Sequence, residues 1–154
     1  ILIGEMRDLN TIETALTAAE TGHLVLATLH TKSAADSVDR MVDVFPEGQQ
    51  RQIRMQLSMV LQAVVSQQLV PALDGTEVPA FEVMRVNPAI RNLIREEKTH
   101  QIDSVIAANR SAGMRTMDQS LFDLVKEGTI AKDIALKYSI HQEALEKRFA
   151  AEGI

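Results

Sequence analysis

The sequence contains no cysteine and no tryptophan, and only 3% of its 154 residues are aromatic. Without cysteine, the chain can form neither a disulfide framework nor a thiolate metal site. The scarcity of aromatic side chains argues against the stacking platforms that single-stranded nucleic-acid binders use. Aliphatic residues and the seven methionines must therefore fill an adaptable hydrophobic core.

Long apolar runs and basic clusters are missing as well. No stretch approaches the roughly 20 apolar residues that span a bilayer, and the first residues lack the layout of a signal peptide. The formal net charge of -5 argues against a general binder of polyanions, although it says little about binding one small anion. We expect a soluble protein of one domain, or of one domain with an appendage, and no nucleic-acid partner.

An apolar run leads directly into an acid at the start of the chain, where Ile1 to Ile3 precede Gly4 and Glu5. Such a run is typical of a strand buried on both faces, and ligands bind at the carboxyl edges of open α/β sheets. Glu5 is therefore a candidate for holding the hydration shell of Mg²⁺ or for orienting a water molecule. The alternative is a short core strand followed by a charged turn, and these residues alone favour neither.

The first thirty residues have the pattern of a βαβ unit. Asn10 and Glu13 form a capping-box pattern that is followed by apolar residues at helical spacing. The apolar run from His23 to His30 predicts a second strand, parallel to the first. Its carboxyl end places His30 near Glu5, whereas the separation of the two histidines disfavours a shared metal site. A structural role at a strand end is the alternative for each histidine.

The following residues predict two helices and a β-hairpin. One helix begins at Ser33, and a longer one begins at Gln49 and lies across the sheet. Two apolar segments, residues 69–73 and 78–84, flank Asp74 and Gly75, a dipeptide that supplies positive φ in a tight turn. The alternation of strands and helices is that of an α/β layered domain.

Every signal after residue 86 is helical, with helix starts predicted at Asn87, Thr99 and Thr116. In the first of these helices Arg91 and Arg95 lie one turn apart on one face. Such a pair can meet an acidic partner, although a solvated charged face is the commoner outcome. These residues predict a small all-helical subdomain after the α/β layer.

Three ordered segments, taken together, resemble the PilT family of type IV pilus retraction ATPases: ILIGEMRD at residues 1–8, AAETGHLVLATLHT at residues 18–31 and AIRNLIRE at residues 89–96. They resemble, in that order, the Walker B segment of the family, its histidine box and the helix associated with retraction. The resemblance covers almost the whole chain and becomes vague only after about Ser139.

The resemblance implies an α/β fold, namely the carboxyl-terminal half of a RecA-like P-loop ATPase core followed by a small all-helical subdomain. Residues 1–86 are expected to form the partial ATPase domain, and residues 87–154 the helical subdomain. Members of this family are hexameric rings that hydrolyse ATP with Mg²⁺ and drive pilus disassembly. The resemblance further implies a cytoplasmic location, peripheral to the inner membrane, with the pilus machinery as partner.

Carried over by residue, the resemblance matches Glu5 with the Walker B acid, which acts near Mg²⁺ through water. His23 and His30 match histidines that contact or sense the nucleotide phosphates. Arg91 and Arg95 lie on the helix that is required for retraction rather than for ATP hydrolysis itself.

One motif of the family is absent, because the sequence contains no Gly-x-x-x-x-Gly-Lys-Ser/Thr, the loop that cradles phosphates. We therefore expect the chain by itself to bind Mg-ATP poorly and to hydrolyse it negligibly. We also expect an open sheet edge and an uncovered apolar face, and hence association or marginal stability.

Two alternatives stay open. One is a non-catalytic interaction module that docks the pilus machinery. The other is a pilus assembly or type II secretion ATPase, many of which carry a four-cysteine zinc insert where this chain has its hairpin. The absence of cysteine favours a retraction ATPase over that second alternative.

Overall fold

Two short parallel strands and a crossover helix open the fold in the computed structural model, which describes residues 1–154. Strand β1 (Leu2–Ile3) pairs with β2 (Leu26–Ala27), and helix α1 (Leu9–Glu20) connects them. This arrangement confirms the predicted βαβ unit. Helix α1 is capped by Asp8, whose carboxylate accepts a hydrogen bond from the Thr11 N–H at 2.8 Å, so the predicted capping box at Asn10 and Glu13 is wrong.

The strands differ from the prediction in length and burial. Strand β2 has two residues instead of the eight predicted from His23 to His30. Ile1 and Leu2 are 59% and 79% exposed, so the expectation of a strand buried on both faces is wrong. The physical reason is that β1 has β2 as its one strand neighbour and its residues belong to neither hydrophobic core of the fold.

Two helices follow β2. Helix α2 (Ala34–Asp43) begins after Ser33, whose hydroxyl accepts from the Asp36 N–H, as predicted. Helix α3 (Glu47–Val60) starts two residues earlier than predicted and ends where the backbone becomes extended at Leu61. Its buried apolar residues pack against helices that precede it and against a helix that follows it in the chain. Helix α3 therefore does not lie across the sheet as predicted.

The predicted β-hairpin is present and longer than expected. Strands β3 (Ala63–Pro71) and β4 (Glu77–Arg85) pair in antiparallel register along nine residues each. Gly75 has a φ of +87°, and the Asp74 carboxylate accepts from the Thr76 N–H at 2.9 Å, so the turn is built as the dipeptide predicts. The prolines of the hairpin are tolerated because both of its strands are edge strands.

All remaining elements are helical, as predicted. Asn87 and Thr116 cap their helices through side-chain oxygens, and a short 3₁₀ turn begins at Thr99. The elements are α4 (Pro88–Arg95), a 3₁₀ turn (Thr99–Gln101), α5 (Ile102–Ala108), a second 3₁₀ turn (Arg110–Ala112), α6 (Met117–Lys126), α7 (Lys132–Tyr138) and α8 (Gln142–Ala151). None of the helices combines the length and apolar character that a membrane crossing demands.

Apolar side chains gather in two clusters that meet at the hairpin. The first core joins α1, α2 and α3 to α4 and α5, and includes Met84 of β4. The second core joins α6, α7 and α8 to Val70 and Ala80 of the hairpin, and contains the stacked rings of Phe122 and Phe149 at 5.1 Å. Packing therefore crosses the point between residues 86 and 87, where the domain boundary stays a prediction.

Candidate functional site

Glu5 and His30 lie together at the carboxyl ends of the two parallel strands. Each residue follows its strand by two or three positions, and the parallel pairing brings the strand ends side by side. The pairing continues past the strands, because the Met6 N–H donates to the Thr28 carbonyl at 3.0 Å. His30 Nε2 lies 3.2 Å from Glu5 Oε1, so the predicted proximity of these two residues is confirmed.

Arg7 completes this arrangement, although the sequence pattern did not single it out. Its Nε donates to Glu5 Oε1 at 2.5 Å. The signal was available, since residues two apart in extended backbone point to the same side, and Arg7 follows Glu5 by two positions. Glu5 retains 29% side-chain exposure between Arg7 and His30, which are 77% and 81% exposed. We call these three residues the Glu5 site.

The charges of the Glu5 site favour an ionised carboxylate. The hydrogen bond from Arg7 holds the pKa of Glu5 below its ordinary value, and the charge of His30 acts in the same direction. The same hydrogen bond raises the pKa of Arg7. Glu5 is therefore an anionic acceptor near neutral pH, which suits a residue that binds a hydrated cation or holds a water molecule.

His23 is not part of this arrangement. It precedes β2, at the opposite end of the strand from His30, and its Nδ1 lies 3.2 Å from both the Ala18 carbonyl and the Thr21 hydroxyl. These partners belong to the carboxyl end of α1 and the residue that follows it. The structure thus separates the two histidines that the sequence pattern grouped in one motif.

Two threonine hydroxyls near His30 form hydrogen bonds within the fold. Thr28 donates through its hydroxyl to the Gly4 carbonyl, and so fastens the end of β2 to the end of β1. The Thr31 hydroxyl lies 2.5 Å from the Ser37 hydroxyl on α2. Both groups fix the backbone on either side of His30.

The residues around Glu5 fit a cation that is held indirectly. No group of three or more histidine, aspartate or glutamate side chains is placed to hold a metal ion. A single carboxylate that already accepts from Arg7 suits contact through a coordinated water molecule, which is how Mg²⁺ is often held when phosphates complete its shell.

The arginines of α4 have different surroundings. Arg91 donates through Nη1 to the carbonyls of Ser58 and Met59, at 2.8 and 3.2 Å, in the last turn of α3. In return Arg54 of α3, which is buried, reaches Glu97 just after α4, with Nη2 3.5 Å from Oε1. Arg95 is exposed on the same helix. Arg91 therefore joins α4 to α3, and Arg95 remains on the surface.

Comparisons with known proteins place these features in a family. Residues 1–77 match the model of the type II/IV secretion system protein family. The chain is 53% identical over 146 residues to a twitching motility protein of Neisseria gonorrhoeae, and 54% identical over 135 residues to the type IV pilus retraction ATPase PilT of Pseudomonas aeruginosa. These alignments cover 94% and 88% of this chain but only 39% of each curated relative.

A solved structure has the same fold. The crystal structure of a pilus retraction motor PilT with bound ADP aligns with a TM-score of 0.85 and 48% sequence identity. The alignment covers 96% of this chain and 41% of that chain. The predicted α/β class, with the helical segments that follow the hairpin, is therefore confirmed as the fold of part of such an ATPase.

Proposed function

Because the chain belongs to the type II/IV secretion system protein family, we propose that it is part of an ATPase motor that drives type IV pilus retraction and twitching motility. The observation that carries the proposal is the contact of Glu5 with His30 in a chain 54% identical to a pilus retraction ATPase. No comparable observation favours an assembly or secretion ATPase, or a module without catalysis.

In this proposal ATP is the substrate, and Glu5 is the acid that acts on it. Bound Mg²⁺ would supply charge neutralisation to the phosphates. Glu5 would hold a water of the cation shell or orient the attacking water, while Arg7 keeps the carboxylate ionised. His30 would sense the phosphates and report to Glu5, which its Nε2 already contacts.

His23 and the arginines of α4 have separate parts in this proposal. His23 would contact phosphates through a surface other than that of Glu5, since it lies at the far end of β2. Arg95 would meet the pilus machinery from the exposed face of α4, and Arg91 would keep that helix in place on α3. The whole motor would be a hexameric ring at the cytoplasmic face of the inner membrane.

The test is the substitution Glu5→Gln in the full motor, with ATP turnover and ring assembly as the two measurements. The amide has the size of the carboxylate but not its charge, so we expect turnover to fall by about 100-fold or more while assembly is kept. Glu13→Gln is the matched control, because Glu13 is exposed on α1 and has no side-chain partner in the structure. Unchanged turnover in Glu5→Gln would remove Glu5 from the mechanism.

A further inference from the structure

Glu82 is a buried acid that lies outside the Glu5 site. It is on β4, only 2% exposed, and its two side-chain oxygens accept hydrogen bonds from two different helices. Oε1 accepts from the Ala34 N–H at 2.8 Å, and Oε2 accepts from the Met117 N–H at 3.0 Å. Ala34 and Met117 are the first residues of α2 and α6, so one carboxylate joins the amino-terminal ends of two helices.

A carboxylate is well suited to this position. The first N–H groups of a helix have no acceptor within the helix, and the helix dipole places partial positive charge at the same end. Two such ends compensate a buried negative charge that has no cation beside it. Burial nevertheless raises the pKa of Glu82, and the nearby acids Asp103 on α5 and Asp118 on α6 act in the same direction.

The two helices belong to different cores. Helix α2 contributes Val38 and Met41 to the first core, whereas α6 contributes Leu121 and Phe122 to the second core. Glu82 lies between the two, flanked on β4 by Ala80 in one core and Met84 in the other. Its carboxylate is therefore a polar link across the junction of the cores.

The segment from His30 to α2 is tied to the helix end that Glu82 holds. Thr31 contacts Ser37 through their hydroxyls at 2.5 Å, and the Ser37 hydroxyl also donates to the Ser33 carbonyl at 2.9 Å. The three residues between His30 and Ala34 are thus attached to the first turn of α2. A displacement of that turn moves the segment that carries His30.

Val83, the residue after Glu82, also joins β4 to the segment just before α6. Val83 and Arg115 exchange two backbone hydrogen bonds, at 2.8 and 3.0 Å, directly beside the bond from Met117 to Glu82. Helix α6 is the first of the three helices that form the second core. The orientation of that helical group is therefore set partly at Glu82.

We propose that Glu82 is a positioning residue that couples the helical group α6 to α8 to the segment carrying His30, through one carboxylate shared by the starts of α2 and α6. The relevance of this coupling to nucleotide turnover rests on the proposed function. The link itself does not depend on the proposed function, because it is defined by hydrogen bonds within the chain.

A pH titration of the isotope-labelled chain by NMR tests the link directly and uses no nucleotide. An amide proton that donates to a carboxylate changes its chemical shift when that carboxylate ionises. We expect the amide signals of Ala34 and Met117 to move with one shared midpoint above the ordinary range of glutamate. Separate midpoints, or no movement of either signal, would overturn the proposal even if no variant folds.

Other ionisable groups around Glu82 provide the control. Asp118 accepts from the N–H groups of Ile140 and His141, and the His141 ring lies 3.5 Å from Asp103. In Asp118→Asn the signals of Ala34 and Met117 should still move together, with a lower midpoint, because one of the charges that raise the Glu82 pKa is gone. Loss of the joint movement in this variant would assign it to Asp118 and contradict the proposal.

The variant Glu82→Gln tests the coupling to His30. The amide keeps one acceptor oxygen, so one of the two helix ends loses its partner. We expect the unpartnered amide to exchange its hydrogen about tenfold faster, since a bond to a charged acceptor stabilises a donor by at least that factor. In Glu82→Ala both helix ends lose their partner, and the amide chemical shifts of residues 31–33 should change because this segment is attached to the first turn of α2. Unchanged exchange at Ala34 and Met117 in Glu82→Gln, or unchanged chemical shifts of residues 31–33 in Glu82→Ala, would overturn the coupling.

The two proposals fail in distinguishable ways. If Ala34 and Met117 share one titration midpoint and Glu82→Gln speeds exchange as expected, unchanged turnover in Glu5→Gln would refute the ATPase mechanism alone. Absence of the shared titration together with lost turnover in Glu5→Gln would refute only the coupling by Glu82.

Discussion

Glu5 and Glu82 are the same residue type at two contrasting places, the exposed end of a short strand and the junction of two cores. Glu5 accepts from a cation, Arg7, and its pKa is lowered. Glu82 accepts from two backbone N–H groups, and burial raises its pKa. The difference teaches that a glutamate of this fold can take part in chemistry where it and its charged partner are accessible to solvent. A glutamate that is buried between helix ends has a structural role.

The largest difference is expected in stability. Replacing Glu82 by alanine leaves two buried helix-end donors without acceptors, at about 1 to 3 kcal/mol each. We expect the free energy of unfolding of Glu82→Ala, measured by urea denaturation, to fall by about 3 kcal/mol. Glu5→Ala should leave it nearly unchanged, because Glu5 and its partners stay in contact with solvent.

Glu77→Ala is the matched control, because Glu77 is an exposed glutamate on the same strand as Glu82. It should retain the stability of the parent chain. A loss in Glu77→Ala equal to that in Glu82→Ala would attribute the effect to strand propensity and would remove the contrast between the two acids.

The arginines of α4 extend the comparison to positive charge. Arg91 closes the last turn of α3 and is partly buried, so Arg91→Ala should lower the free energy of unfolding by about 1 kcal/mol. Arg95→Ala should not change it, because Arg95 is exposed. In the full motor we expect Arg95→Ala to abolish retraction while leaving most ATP turnover.

Arg51→Ala serves as the control for this pair, since Arg51 is an exposed arginine in α3. Equal destabilisation by Arg91→Ala and Arg95→Ala would contradict the division of roles. Equal loss of turnover and retraction in Arg95→Ala would indicate a general defect instead of a lost partner contact.

The smallest effect that we expect is in the pH dependence of stability, to which Glu5 and Glu82 should contribute with opposite sign. Because the folded-state pKa of Glu82 is raised above 4.5, the folded chain binds the proton more tightly, and the stability of the parent relative to Glu82→Gln should fall as the pH rises through that pKa. Because the pKa of Glu5 is lowered, its contribution is present above 4.5 and is lost as the pH falls through the folded-state pKa.

Urea denaturation of the parent chain and of both glutamine variants across the acid range measures these slopes. We expect the free energy of unfolding of the parent minus that of Glu5→Gln to rise with pH, and the parent minus Glu82→Gln to fall with pH. Parallel curves would mean that the environments of Glu5 and Glu82 affect their ionisation in the same way.

Much of the fold was predictable because the signals are local. Ser33, Asn87 and Thr116 each cap the helix that they precede, and Gly75 adopts the positive φ that its turn requires. The proximity of Glu5 to His30 was predictable too, since adjacent parallel strands end at one edge. Predicted element ends were less accurate, as at β2 and α3, because neighbouring elements decide where pairing and helical packing stop.

The amino-acid sequence by itself determined the order of the elements, their caps and turns, and the identity of the acid at the end of the first strand. Only the tertiary structure decided what the charged residues contact. Arg91 reaches carbonyls more than thirty positions earlier, and Glu82 accepts from N–H groups at positions 34 and 117. Local patterns specify backbone conformation, whereas the partners of a side chain depend on how distant elements pack, and that packing also determines burial and pKa.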